Sequence, residues 1–408
     1  MKNSPHAHPF QMALPEEIKA GKTTDVYFVR TLEILKAKGL DRRKGLAEFT
    51  TGELPREWPW AVFCGLEEVV HLMEGIPVDL YALPEGTLFP ARDRDGIRVP
   101  VMLIEGGYGR FCLYETPMLG LICQATGVAT QAARIRQAAG SALVLAFGTR
   151  RMHPAIAPML DRASFLGGCD AVSNVLGAGR IGEVPMGTMP HALIISFGDG
   201  KRAWAAFDQV MPASVPRIAL VDTYSDEKQE ALEAAQLLGK RLEGVRLDTP
   251  GSRRGNFAEL VREVRWELDL RGYRKVRIVV SGGIDEEKIP ALTRAGAGGF
   301  GVGTALSNAP TVDFAMDLVE IEGRPCAKRG KFSGRKMPWG CPRCLGYRVL
   351  PAGGKQRGSH AAPSCLACHR KMRPMYQQVL RQGRLVAKLP SPSAIRSTVL
   401  NQLRRRDA

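Results

Sequence analysis

Phe-Gly-Thr-Arg-Arg (147–151), Gly-Thr-Met-Pro-His (187–191), Val-Asp-Thr-Tyr (221–224), Gly-Val-Arg-Leu-Asp (244–248) and the glycine turns Ser-Gly-Gly (281–283) and Gly-Val-Gly-Thr (301–304) form a ladder along the middle of the chain. Each rung closes an apolar run. Outward from them, short β-branched stretches at 142–147, 171–175, 192–197, 217–222, 245–248, 276–281 and 300–303 read as strands. Helical patterns fill the gaps, the clearest at 226–241, with Ser225 as its expected N-cap, and at 256–271. Strands alternating with helices of this length mean parallel βαβ units. Seven strands are too many for a half-Rossmann unit, and no Gly-x-Gly-x-x-Gly turn follows the first, so an irregular or incomplete barrel is the expectation. Arginines, acids and glycine turns at strand ends are what an α/β barrel uses to hold a phosphorylated ligand.

The chain has 408 residues, enough for two or three domains, and a formal net charge of +16. That charge is unevenly placed. Residues 323–408 carry 20 Lys and Arg against the single acid Asp407, a net of +19, which leaves −3 for the rest. Residues 1–120 hold short alternating runs and turns and read as a mixed, partly antiparallel domain; a long helix over about 116–139, with Pro117 in its first turn, leads into the barrel at 121–310. A further helix is expected near 311–318 within a return segment to 336, then a basic module at 337–408. No apolar run reaches the roughly 18 residues of a membrane helix, and the first thirty residues lack a signal peptide's pattern, so a cytoplasmic protein is expected.

Cys341-x2-Cys344 and Cys365-x2-Cys368 are two tight turns that point thiolates at one ion, the pattern of structural zinc. His360 and His369 are alternative ligands. Cys64, Cys112, Cys123 and Cys169 sit in apolar surroundings and read as small buried residues. A basic tail with a metal motif also fits a zinc-containing nucleic-acid-binding module, a solvated surface, or a face that meets phosphate.

Together with Thr24-Asp25-Val26-Tyr27 and the run Ala-Lys-Arg-Gly-Lys-Phe-Ser-Gly-Arg-Lys (327–336), the ladder resembles nicotinate phosphoribosyltransferase, in particular its shorter, archaeal-type branch with a C-terminal zinc-binding segment. No single motif is specific; their order and spacing are. The resemblance implies an irregular, seven-stranded-type α/β barrel with an N-terminal mixed α+β sandwich-like domain, a small C-terminal zinc-binding module, and a homodimer with shared sites. It implies that nicotinate and phosphoribosyl pyrophosphate are joined to nicotinate mononucleotide and pyrophosphate in NAD salvage, with Mg²⁺ and with ATP as co-substrate. Neither a membrane nor nucleic acid is among the implied partners.

The resemblance puts Tyr27, from the other subunit, and Phe147 on the two faces of the nicotinate ring. Arg150 and Arg246 lie near its carboxylate, where a planar fork matches the geometry. Asp222 and Asp248 suit ribose hydroxyl or Mg²⁺ contacts, while the phosphates fall to Ser281, Gly282, Gly283, Gly301, Gly303, Thr304, Lys331 and Arg335. His191 is the residue that ATP phosphorylates in the family. Against this, Phe147 could be core, the arginines surface partners, Asp222 a helix cap, the glycines mere turns and His191 a structural residue at a strand start. Two departures stand out. Pro190 replaces a common Ala before the histidine, and Asp248-Thr249-Pro250-Gly251 lacks the second acid of Asp-Ser-Gly-Asp, which bears on metal or pyrophosphate handling. Quinolinate phosphoribosyltransferase, which decarboxylates, is the nearest alternative within the fold; it needs cations for a second carboxylate and no phosphorylated histidine.

Overall fold

The computed structural model describes residues 10–352 and 362–407, so His360 lies outside the described residues. The chain divides into two compact units, residues 131–309 and residues 1–130 with 310–408.

The central unit is a row of six parallel strands flanked by helices. Its order is Ala171–Val172, Leu143–Ala146, Ala297–Val302, Arg277–Val280, Gly244–Leu247, Ile218–Leu220. Every pairing is parallel, as strand–helix alternation requires. The sheet interior is made by β-branched and leucine side chains such as Val144, Leu220, Val245, Leu247, Ile278 and Val280, all almost wholly excluded from solvent. This is the expected irregular α/β barrel in the form of an open half-barrel, with one strand fewer than expected. Residues 192–197 are a helix, His191–Phe197, which ends at Gly198 in the left-handed conformation. Their run Ala-Leu-Ile-Ile-Ser-Phe is apolar enough for either element, and the αL stop decides for helix. Nor is Ser225 the cap of helix Glu227–Leu238. Asp226 is, its side chain accepting from the N–H groups of Lys228 and Gln229. Asn256 caps Phe257–Leu270 in the same manner.

The other unit is built on a seven-stranded sheet in the order Arg324–Pro325, Phe314–Ile321, Lys44–Thr51, Met102–Gly107, Val78–Ala82, Gln377–Arg381, Arg384–Leu385, antiparallel throughout. The expected helix at 311–318 is therefore a strand. Phe314–Ile321 buries Phe314, Met316, Asp317 and Val319 and pairs along its length with Lys44–Thr51. Helix Glu115–Ala139 runs from this unit into the central one. A small sheet of Lys336–Gly340, Tyr347–Pro351 and Arg373–Pro374 carries the cysteine turns. Tyr347, Val349, Val379 and Leu380 from this late part of the chain join the core made by Phe49, Leu80, Ile104 and Met118. None of the described helices is long and apolar enough to cross a membrane.

Candidate active site

At the carboxyl ends of Ile218–Leu220, Gly244–Leu247 and Arg277–Val280 the expected residues converge. The Asp248 N–H donates to Asp222 Oδ2 at 2.9 Å, so neighbouring strand ends hold the two acids side by side. Ser281 Oγ donates to Asp248 Oδ1 at 2.6 Å. Arg246, two residues before Asp248 and on the same face of its strand, is held by three side chains: Nε donates to Ser281 Oγ (3.0 Å), Nη1 to Thr188 Oγ1 (2.6 Å) and Nη2 to Asp248 Oδ2 (2.9 Å). Its guanidinium lies 5.7 Å from the centroid of the Phe147 ring, a cation–π distance.

The Asp222 side chain is only 1% exposed, and its Oδ1 has no hydrogen-bond partner among the described residues. Burial pushes its carboxyl up to about 7, against the lowering influence of the Asp248 N–H. His191 begins the helix His191–Phe197. Its Nδ1 is 3.0 Å from Thr223 Oγ1, while Nε2 faces Asp222 Oδ1 at 3.9 Å and Asp248 Oδ2 at 3.7 Å. Histidine, two acids, arginine, serine and an aromatic ring thus share one mouth.

The glycine turns are shaped for different reasons. Gly282 and Gly283 both have positive φ, and the Gly282 carbonyl accepts from Arg254 Nη1 at 2.7 Å. The loop that lacks a second acid is thereby tied to the Ser-Gly-Gly turn. At Gly301, a Cβ would come within 2.6 Å of Phe147 Cε2, so its bareness makes room for the ring. Gly303 precedes the short helix Thr304–Ser307, and Thr304 is exposed. Arg150 is exposed on the turn Thr149–Arg151.

Other expected residues belong to the other unit. Tyr27 stands on helix Val26–Ala37, 55% exposed, with its hydroxyl donating to Asp25 Oδ2 at 3.4 Å. Lys331 pairs with Asp317 (2.5 Å), and Arg335 pairs with Glu105 beneath the Tyr81 ring. The four cysteine Sγ atoms lie within 4.8 Å of one another. Contacts of 3.4 Å between Cys341 and Cys368 and 3.3 Å between Cys344 and Cys365 approach the roughly 3.8 Å edge of a tetrahedron with metal–sulfur bonds of about 2.3 Å.

Three members of the central cluster carry no obvious mark in the sequence. Thr188 and Thr223 sit inside the motifs of His191 and Asp222, whose imidazole and carboxylate carry the stronger chemical signal. Glu230 is one acid among several on an amphipathic helix, yet its carboxylate takes the N–H groups of Thr223, Tyr224 and Ser225.

Residues 128–317 match the model of the quinolinate phosphoribosyl transferase C-terminal domain, and residues 25–126 match that of its N-terminal domain. The crystal structure of nicotinate-nucleotide pyrophosphorylase from Pyrococcus furiosus is 51% identical and superposes with a TM-score of 0.92, over 98% of this chain and 99% of that one. The nicotinate phosphoribosyltransferase of Bacillus subtilis is 30% identical over 73% of this chain and 66% of its own length; a Mycobacterium tuberculosis enzyme of that name is 36% identical over 64% of this chain. The chain belongs to the nicotinate phosphoribosyltransferase family. The match spans about half of the Mycobacterium tuberculosis enzyme, 54% of its length. Human nicotinic acid phosphoribosyltransferase, at 23% identity and a TM-score of 0.73, shares the fold. The Pyrococcus furiosus match is long enough to include the cysteine-bearing tail.

Proposed function

We propose that this family member joins nicotinate to phosphoribosyl pyrophosphate, releasing pyrophosphate and nicotinate mononucleotide, with ATP hydrolysis coupled through His191. The observation that carries the reading is the pairing of a planar aromatic face, Phe147, with a fixed guanidinium, Arg246, beside two acids at one strand-end mouth. A flat ring bearing a carboxylate needs the first two; a ribosyl group developing oxocarbenium character needs hydroxyl acceptors such as the acids. The pyridine nitrogen carries its own lone pair at neutral pH, so no general base is required and positioning does most of the work. Arg246 already spends donors on Ser281, Thr188 and Asp248, which leaves the exposed Arg150 as the second cation for the carboxylate. Tyr27, supplied by a second subunit, closes the other ring face.

The glycine turns at 281–283 and 301–304 hold the 5-phosphate, and Lys331 and Arg335 the pyrophosphate. Asp222 and Asp248 offer the oxygen donors that Mg²⁺ takes, including the unpartnered Asp222 Oδ1, and the ion when bound offsets charge on the departing pyrophosphate. The four cysteines fit zinc in a structural role, since all four positions are filled by protein.

The deciding experiment incubates the protein with phosphoribosyl pyrophosphate, Mg²⁺ and, separately, nicotinate, nicotinamide or quinolinate, and identifies the nucleotide formed. Nicotinate mononucleotide from nicotinate, in yield raised by ATP, is the expected result. Turnover of quinolinate with release of carbon dioxide would overturn the assignment.

A further inference from the structure

The acids at the mouth lie 3.7 and 3.9 Å from His191 Nε2, beyond hydrogen-bond reach, so among the described residues the ring's hydrogen bond is the 3.0 Å contact between Nδ1 and Thr223 Oγ1. That hydroxyl is not loosely held. Glu230, 5% exposed and reaching up from helix Glu227–Leu238, accepts from the N–H groups of Thr223 (3.3 Å), Tyr224 (2.9 Å) and Ser225 (2.7 Å). The peptide that carries Asp222 and Thr223 is thereby fixed against the ring.

We propose that Thr223, anchored by Glu230, is a positioning residue that accepts the His191 Nδ1–H and so keeps the Nε2 lone pair free and aimed into the mouth. This deepens the phosphohistidine reading and rests on it. The ring nitrogen that reacts must lack a proton, and the bond made by the other nitrogen selects which one that is. Nδ1 is taken by Thr223; Nε2 looks outward. In the step, the Nε2 lone pair forms the bond to the γ-phosphorus while the bond from phosphorus to the bridging oxygen breaks, and ADP leaves with that electron pair. Nδ1 retains its proton, donated to Thr223, and the positive charge spreads over the phosphorylated ring. Without the acceptor, Nδ1–H would lose its partner, and the carboxylates near Nε2 would draw the proton to the reacting nitrogen.

The test uses the full chain, wild type and the variants Thr223→Val, Thr223→Ser and Glu230→Gln. Nitrogen-15 spectra of labelled histidine, without nucleotide and at a pH where the ring is neutral, should show His191 protonated on Nδ1 in wild type and in Thr223→Ser. In Thr223→Val the signal should move toward Nε2–H. With ATP carrying a labelled γ-phosphate, the ratio of ATP-coupled to uncoupled nucleotide formation should fall about tenfold or more in Thr223→Val and recover in Thr223→Ser, with Glu230→Gln between. Wild-type Nε2–H, or a Thr223→Val protein labelled at the wild-type rate, would overturn the proposal. So would an equal loss in the Ser and Val variants, which marks a structural role only. Should wild type take up no label at all, the phosphohistidine reading fails by itself, and the tautomer measurement still judges Thr223.

Discussion

Phe147 and Gly301 form a lock between adjacent strands of the central sheet, because the ring occupies the place a side chain at 301 would fill. Gly301→Ala puts a methyl group 2.6 Å from Cε2, so the ring must move, at a cost of roughly 1–3 kcal/mol for overpacking. Calorimetry of Gly301→Ala, Phe147→Leu and the double variant should show the second change relieving much of the first; simple additivity would argue that the ring has another place to go. Asp161 provides the pH counterpart. Its side chain is buried, Oδ1 has no partner among the described residues, Oδ2 accepts the Asn174 N–H at 3.2 Å, and burial raises its carboxyl to about 7. Folding therefore favours its protonated form. The associated stability is complete below an unfolded pKa of about 3.9 and is lost as pH rises through about 7. Between pH 5 and 8 the melting temperature should fall more steeply in wild type than in Asp161→Asn, and parallel slopes would refute the assignment. Asp222, Asp248 and Arg246 were legible because strand-end motifs advertise them, and His191 because of its Gly-Thr-Met-Pro-His context. Asp161 and Glu230 were not, because an acid in a helix looks the same whether it meets water or a buried amide.

Elements were legible when their ends carried chemistry. The helical pattern at 256–271 starts at its cap, Asn256, whereas Ser225 is the expected cap of the other helix and the neighbouring Asp226 carboxylate takes that place. Asp226→Ala should cost about 1 kcal/mol, since two first-turn N–H groups lose their acceptor beside the helix's positive end. Ser225→Ala should cost far less, and urea midpoints that rank the two the other way would restore Ser225 as the cap. Both misread elements, 192–197 and 311–318, are short apolar runs whose periodicity is too brief to separate helix from strand. In the first, a left-handed glycine settled the outcome; in the second, a partner strand more than 260 residues earlier did. Only the first signal is local.

At the scale of the whole molecule, the tail is part of the scaffold. The Cys341–Cys344 turn leads into the Tyr347–Pro351 strand, whose Tyr347 hydroxyl donates to the Leu88 carbonyl, and Gln377–Arg381 pairs with Val78–Ala82. Metal binding in isolated finger peptides contributes about 10–16 kcal/mol at neutral pH, so its loss here should loosen more than the turns themselves. Cys341→Ser protein, or wild type stripped by a chelator, should lose one equivalent of zinc by elemental analysis and gain amide exchange in both Tyr347–Pro351 and Val78–Ala82. Unchanged exchange at Val78–Ala82 would mean that the tail folds as an independent annex.

The pairing of Lys44–Thr51 with Phe314–Ile321 also sets a timetable. At about 5–20 residues per second, a ribosome releases the first strand on the order of tens of seconds before its partner exists. Residues 131–309, contiguous in the chain, emerge complete during that wait. The antiparallel unit must therefore keep an unpaired strand edge out of contact with other nascent chains until Phe314–Ile321 has been made. Its exposure to misassembly during translation is a consequence of its topology, whatever its final stability.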